Sequence, residues 1–587
     1  MTRGNRPEKQ PRVGFANWKR ARLVLATGLL SGGVSLAATA HADDNQTCQD
    51  LANLSLPHAT ITLAVPVTSG TFTEDTRFDP QIKVYKNLPR FCRVRGVSRP
   101  TDDSEIGFEV WLPLEGWDRR LHMVGNGAYS SNIYYTQMAE RLQASDIAVA
   151  TDTGHHGKDL SFGDGHPEKI RDFAGRSVHE SAVAAKAIAK YFYGTAPSFS
   201  YFSGCSTGGY QGLMAAQKYP GDFDGIIAGA PGNNRSTLNM AFLWNYLANH
   251  RAGDDKTQIL QPSDLLTINA AVVKACDQID GVEDGVISDP RQCHFDVTSL
   301  KCQPGQASQC LSDEQIAAAE RIYAGPRNAK TGQQVYPGYP FGSEGVRSSA
   351  TDTHPGWSDY WADESDPDKP DRAEFFASWV FNDPNWNWWR FNWSSDIDTV
   401  HARMSELFDA NSPDLSSFSA RKGKLIMFMG WADPVGAPGE AINYYDAVKA
   451  RMKKTDASAQ AFLRLYMIPG MDHCANGPGA TYVSSATRDS LPPVSDARHD
   501  MLIALEDWVE HGRAPETLVA THYSDVATKT VAFQRPICVY PKVVKYQGGP
   551  ADKAESFGCV AEASNGKMLS RQGSTMNAGT ALPDAGR

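Results

Sequence analysis

Phe199-Ser200-Tyr201-Phe202-Ser203-Gly204-Cys205-Ser206-Thr207-Gly208-Gly209 is the stretch on which the fold depends. Its aromatic-rich first five residues read as a buried strand, and Tyr210 to Lys218, ending before Pro220, reads as a helix. Between them, Gly204-x-Ser206-x-Gly208 makes a sharp turn whose glycines let the two backbones approach and whose serine hydroxyl is left exposed at the tip. The helix N-terminus behind that hydroxyl favours developing negative charge. Alone the five-residue pattern is common; set between strand and helix it is the turn that presents a nucleophile.

The pattern around it repeats strand, loop and helix. Ile147 to Ala150 is an apolar run followed by Asp152 and Gly154, Ser177 to Tyr193 has helical spacing, and Gly225 to Ala228 is a further strand ending at Pro231. Such alternation predicts an α/β protein with a parallel sheet. Upstream, residues 43 to about 120 read as an entry sheet of short alternating strands, for example Ala59 to Val67 and Gly107 to Leu112. Regularity lapses over 233–420, where cysteines cluster and eight of the thirteen tryptophans fall. Strands return at Lys424 to Met429 and Ala461 to Ile468. The expected organisation is a core over 43–232 and 421–562, a large insertion over 233–420, and an aperiodic tail over 563–587 of disordered type. No internal repeat is present.

The first 42 residues carry seven bases and one acid, with an apolar Gly- and Ala-rich stretch from Leu23 to Ala38 and the small-x-small site Ala40-His41-Ala42. This is the pattern of a cleaved signal peptide, and it predicts an exported protein, periplasmic or secreted, with no membrane segment after cleavage. Without that segment the formal charge of −10 becomes −16, which disfavours nucleic acid as a partner. The ten cysteines all lie beyond it, an even number suited to bridges in an oxidising compartment. No C-x-x-C pair suggests zinc.

A serine hydroxyl needs a base to take its proton, and the base needs a carboxylate to fix its tautomer. Two loops at strand ends supply candidates: Gly430-Trp431-Ala432-Asp433-Pro434 and Pro469-Gly470-Met471-Asp472-His473-Cys474. The order Ser206, Asp433, His473 is that of α/β-hydrolases, and it sets aside His155, His156 and His179, which precede the serine. Asp472 is the rival acid, but as the neighbour of His473 its side chain should point elsewhere. If Ser206 and His473 are within hydrogen-bond reach, the adjacent Cys205 and Cys474 fall within disulfide range.

Gly204-Cys205-Ser206-Thr207-Gly208-Gly209 and these two loops, with Ala150-Thr151-Asp152-Thr153-Gly154-His155 and Gly229-Ala230-Pro231, resemble the signatures of the tannase and feruloyl esterase family across nearly the whole chain. The resemblance implies an α/β-hydrolase fold with an inserted lid, a Cys205 to Cys474 disulfide, and small aromatic or phenolic ester substrates. With sequence proximity it also suggests the pairs Cys48 with Cys92, Cys276 with Cys293, Cys302 with Cys310 and Cys538 with Cys559. An oxyanion hole needs two N–H donors: Thr207 supplies one, and the family's glycine-rich segment, here Gly125-Asn126-Gly127-Ala128 after the strand Leu121 to Val124, points to Gly127, with Gly125 behind it.

Asp277-Gln278-Ile279-Asp280-Gly281-Val282-Glu283-Asp284-Gly285-Val286 concentrates hard oxygen ligands around two turn glycines. Calcium suits the side chains of Asp277, Asp280 and Asp284 with the carbonyls of Val282 and Val286; a solvated acidic loop is the alternative, and the family's lid calcium site favours the metal. It is expected far from the catalytic loops, and no organic cofactor is expected. Trp357, Phe375 and Phe376 are candidate walls for an aromatic acyl group, although dense aromatic strings are more often packing. A catalytically inactive binding module and a peptidase are the competing function classes. Within the family, mono(2-hydroxyethyl) terephthalate hydrolases place a lid arginine against a free carboxylate; the matching position here is Pro370, with Arg372 nearest. The sequence leaves the oligomeric state open.

Overall fold

The structure, a computed structural model, describes residues 45–75, 82–347, 353–363, 365–453, 458–487 and 490–561; the leader and tail inferred above lie outside them. In chain order the strands up to residue 468 are β1 (Ala59–Val67), a small hairpin of β2 (Thr71–Thr73) and β3 (Val84–Lys86), β4 (Phe91–Ser98), β5 (Ile106–Pro113), β6 (Arg120–Val124), β7 (Ile147–Thr151), β8 (Phe199–Cys205), β9 (Gly225–Gly229), β10 (Lys424–Gly430) and β11 (Leu463–Ile468). Nine of them form one sheet in the order β1-β4-β5-β7-β6-β8-β9-β10-β11. From β7 to β11 the pairs are parallel, whereas β1, β4 and β5 join antiparallel at one edge. The N-terminal strands therefore extend the main sheet and do not form a separate one. This is the α/β-hydrolase arrangement.

Burial on both faces explains why β8 is nearly continuous in bulky residues. Successive side chains alternate sides: Phe202 packs with Leu213 and Ile226 in one core, Tyr201 with Leu505 and Trp508 in the other. Parallel strands carry the loops after β6, β8, β10 and β11 to the same end of the sheet, which is where such folds assemble their chemistry.

Between β9 and β10 no described residue adds a strand to the sheet. This segment instead holds helices Arg235–Ala248, Pro262–Cys276 and Asp313–Ala324. Its two crossings to the core are tied to each other: Ala410 N donates to Asn233 O at 2.8 Å, Asn233 Nδ2 to Asn411 Oδ1 at 2.8 Å, and Ser236 N to Asp409 Oδ1 at 2.8 Å. One aromatic core of the insertion, including Trp244, Phe375, Phe376 and Trp379, is continuous with Tyr129 and Phe173 of the sheet domain.

Five disulfides link Cys48 to Cys92, Cys205 to Cys474, Cys276 to Cys293, Cys302 to Cys310 and Cys538 to Cys559, the pairs expected from the sequence. Among the described residues no helix is long and apolar enough to cross a membrane.

Candidate active site

Ser206 sits between β8 and helix Thr207–Lys218 with φ 61° and ψ −119°, a conformation that costs a side-chain-bearing residue about 1–3 kcal/mol. Its surroundings hold it there: Ser206 N donates to Gly229 O at 2.9 Å and Tyr210 N to Ser206 O at 3.0 Å. Glycine is required at 204 and 209 by backbone contact. A methyl group on Gly204 would lie 2.6 Å from Gly208 Cα, and one on Gly209 would lie 2.1 Å from Gly229 O.

Asp433 follows β10 and is fully buried. Its Oδ1 accepts from Val435 N at 2.8 Å and Gly436 N at 3.1 Å, leaving Oδ2 to meet His473 Nδ1 at 2.8 Å. His473 follows β11, and the next residue, Cys474, is bonded to Cys205 with a Cα separation of 5.8 Å. The disulfide thus fastens the histidine loop to the residue before Ser206. Asp472 turns away from the ring, its Oδ1 accepting from His473 N at 2.6 Å, and burial pushes its carboxyl up to about 7.

The other histidines are engaged elsewhere. His155 meets Tyr129 O at 2.7 Å and Thr153 Oγ1 at 3.0 Å, and burial lowers it to about 4. His179 meets Asp222 at 2.8 Å, which raises it. His156 lies beside Asp152 and Glu105 in a cleft at the antiparallel edge.

Gly125-Asn126-Gly127-Ala128, after β6, lies against the serine turn. A methyl on Gly125 would be 2.6 Å from Gly208 Cα. Asn126 pins the loop: its N–H donates to Gln211 Oε1 at 3.0 Å and its Nδ2 to Thr151 O at 2.9 Å. Thr207 Oγ1 donates to Ala128 O at 2.6 Å. As the first residue of its helix, Thr207 has an N–H with no acceptor one turn back, so Thr207 and Gly127 stand on two segments held together beside Ser206.

The three aromatic residues named from the sequence are interior. Phe375 and Phe376 are fully buried and Trp357 is 2% exposed, with its indole N–H donating to Ser343 Oγ at 2.9 Å. Rings nearer the loop after β6 are Tyr129, Phe173 and Phe408: Tyr129 stacks on Phe173 at 5.1 Å and on Phe408 at 6.5 Å. Arg372 places its guanidinium 5.3 Å from the Tyr129 ring, with Nε 3.1 Å from Asp371. Sequence spacing carried no signal for these contacts, because residues 129, 173, 372 and 408 meet only through the fold.

In the acidic loop Asp277 accepts from the N–H groups of Asp284, Gly285 and Val286, and Asp280 from Val282 N and Ser288 Oγ. Asp284 is ion-paired to Arg535 at 2.5 Å; burial pushes its carboxyl up, Asp280 and Asp277 add to this, and Arg535 opposes it. Among the described residues no three His, Cys, Asp or Glu side chains converge closely enough to hold a metal ion as they stand. The loop is not remote from the loop of His473: a methyl on Gly470, three residues before His473, would lie 3.0 Å from Val286 Cγ1.

Residues 92–560 match the sequence model of the family described as tannase and feruloyl esterase. An uncharacterized esterase of Xanthomonas campestris pv. campestris is 37% identical over 566 residues, covering 92% of this chain and 95% of that protein. Feruloyl esterase C of Talaromyces stipitatus is 30% identical over 536 residues, covering 90% and 97%. The crystal structure of feruloyl esterase B from Aspergillus oryzae superposes with a TM-score of 0.78 at 26% identity, covering 88% of this chain and 100% of that one.

Proposed function

The chain belongs to the tannase and feruloyl esterase family of carboxylic ester hydrolases, and we propose that it is an exported serine esterase that cleaves esters of phenolic or aromatic acids through an acyl-enzyme. The observation that carries this is the 2.8 Å contact of His473 with Asp433, in a loop that a disulfide fastens beside Ser206. Ser206 Oγ attacks the ester carbonyl while Nε2 of His473 takes its proton. Asp433 fixes the tautomer that leaves Nε2 as the base and stabilises the imidazolium. The N–H groups of Thr207 and Gly127 receive the oxyanion. Collapse expels the alcohol, which takes the proton from His473; water then attacks the acyl-enzyme with His473 again as base, releasing the acid.

Support for an aromatic acyl group comes from the name of the Talaromyces relative, a feruloyl esterase. Five disulfides support an oxidising, extracytoplasmic location.

The acidic loop is proposed to bind calcium through Asp277, Asp280 and Asp284 with the carbonyls of Val282 and Val286. The Asp284 carboxyl, paired to Arg535, feels the negative charges of Asp280 and Asp277, and hard oxygens suit calcium, although to hold the ion the side chains would have to converge further than they do as they stand. Bound there, the ion would order the loop.

Turnover of methyl ferulate, methyl gallate and mono(2-hydroxyethyl) terephthalate, compared side by side, tests the substrate class. Ferulate or gallate is expected to be preferred, since Asp371 already neutralises Arg372. Cleavage of acetyl esters with no aromatic ester turned over would overturn the proposal.

A further inference from the structure

Arg235 opens the helix that follows the first crossing into the insertion, and it is 2% exposed. Buried arginines are ordinarily paired with a carboxylate, because an isolated desolvated charge is costly. No carboxylate among the described residues lies within ion-pair distance of this one, and its Nε has no acceptor. Its guanidinium lies instead among four aromatic rings, 4.9 Å from Tyr129, 5.2 Å from Tyr210, 5.8 Å from Phe173 and 5.9 Å from Phe408. Ring faces attract a cation without neutralising it.

The two hydrogen bonds it makes are specific. One guanidinium nitrogen donates to Thr207 Oγ1 at 2.8 Å and also approaches Ala128 O at 3.3 Å. Thr207 Oγ1 in turn donates to Ala128 O at 2.6 Å. One acceptor belongs to the serine turn and the other to the loop after β6, the two segments that carry the N–H donors assigned to the oxyanion.

We infer that Arg235 is a positioning residue for the oxyanion hole, fixing Thr207 against the Gly127–Ala128 peptide and holding an unneutralised positive charge behind both. This rests on the assignment of Ser206 as nucleophile. The gain is differential: in the ground state the charge faces only rings and dipoles, whereas the transition state places an anion in front of it. An arginine that merely packed the helix start would stabilise ground and transition states alike.

The test measures kcat and KM for p-nitrophenyl acetate with the full chain, alongside the affinities of phenylboronic acid, which forms a tetrahedral adduct on serine, and of ferulate. Arg235→Met keeps the apolar stem, and Arg235→Lys keeps the charge without the fork. For Arg235→Met we expect kcat to fall about ten- to hundredfold with KM within about threefold, and boronate affinity to fall in parallel while ferulate binding holds. Arg235→Lys should recover part of the loss. Thr207→Val removes the hydroxyl link but leaves the N–H, so it should reproduce the kcat loss even if Arg235→Met fails to fold. Unchanged kcat and boronate affinity in Arg235→Met, or in Thr207→Val where Arg235→Met is unfolded, would overturn the inference. A wild-type chain that cleaves no ester would instead overturn the assignment of the site itself.

Discussion

Cys205 and Cys474 are bonded to each other across 269 residues of chain, and their neighbours are Ser206 and His473. The bridge joins the end of β8 to the loop after β11, two strands with β9 and β10 between them in the sheet. It therefore bears directly on the distance between Ser206 and His473, the proposed nucleophile and base. Replacing both cysteines by alanine should lower kcat by about ten- to a hundredfold, since small misplacements of reacting groups are costly. The melting temperature should fall as well, because a disulfide contributes about 2–4 kcal/mol. Full activity in a well-folded double variant would separate the bridge from catalysis.

Asp433 and Asp472 can be told apart. Asp433→Asn should cost roughly 10⁴-fold in kcat, because the amide imposes the wrong tautomer on His473. Asp472→Asn should cost little at neutral pH: burial already pushes that carboxyl up to about 7, and it meets the backbone of His473, not the ring. Steady-state kinetics of the two variants side by side check this. A larger loss in Asp472→Asn would show that the acid has been misassigned.

What the sequence made legible was local or ordered along the chain. The serine turn, the strand-end loops of Asp433 and His473, and the cysteine pairs follow from spacing and from the resemblance those motifs carry. What it hid was convergence. Arg235 looks like any arginine at a helix start, and nothing around it in the sequence says that Tyr129, Phe173, Tyr210 and Phe408 will surround it. Phe375 and Phe376 were conspicuous for the opposite reason: aromatic density marks a core, and both lie inside one. The strands upstream of residue 120 read as an entry sheet because antiparallel alternation looks the same at the edge of a mixed sheet.

On the proposal that the acidic loop binds calcium, removing the ion should act at two places. Ordering of the acidic loop predicts a lower melting temperature in chelator, by mass action on the native state. Because Val286 packs against Gly470, loss of the ion should also reach the histidine loop. Both a small and a bulky ester should then be hydrolysed more slowly, the bulky one more so. Thermal melts and kinetics with and without chelator, together with elemental analysis, check this. Unchanged melting with no calcium found would leave the loop a hydrogen-bonded acidic turn.

Glu440 should make a contribution to stability that declines from acid toward neutral pH. Burial pushes Glu440 from its ordinary 4.5 up to about 7, with Asp409 adding to this and the side chains of Asn234, Asn443 and Asn233 opposing it. Tyr336 is another titratable group that feels Glu440. A raised folded-state value means that the protonated form is favoured on folding, so this contribution is complete below about 4.5 and is lost as pH rises through about 7. Its size is on the order of 3 kcal/mol. Relative to wild type, Glu440→Gln should gain melting temperature as pH rises from 4 to 7; Asp152, Asp472 and Glu506, also pushed up to about 7, and His155, lowered to about 4, contribute equally to both proteins and drop out of the difference. An unchanged slope in the variant would contradict this.

The central claim is that Ser206 is the nucleophile of an ester hydrolase. The most direct measurement treats the protein with a fluorophosphonate and locates the adduct by peptide mass spectrometry, with methyl ferulate turnover followed in parallel. The account predicts one adduct, on Ser206, rising as turnover falls to zero, with both absent in Ser206→Ala. Labelling at another residue with loss of activity, or normal hydrolysis by Ser206→Ala, would contradict it.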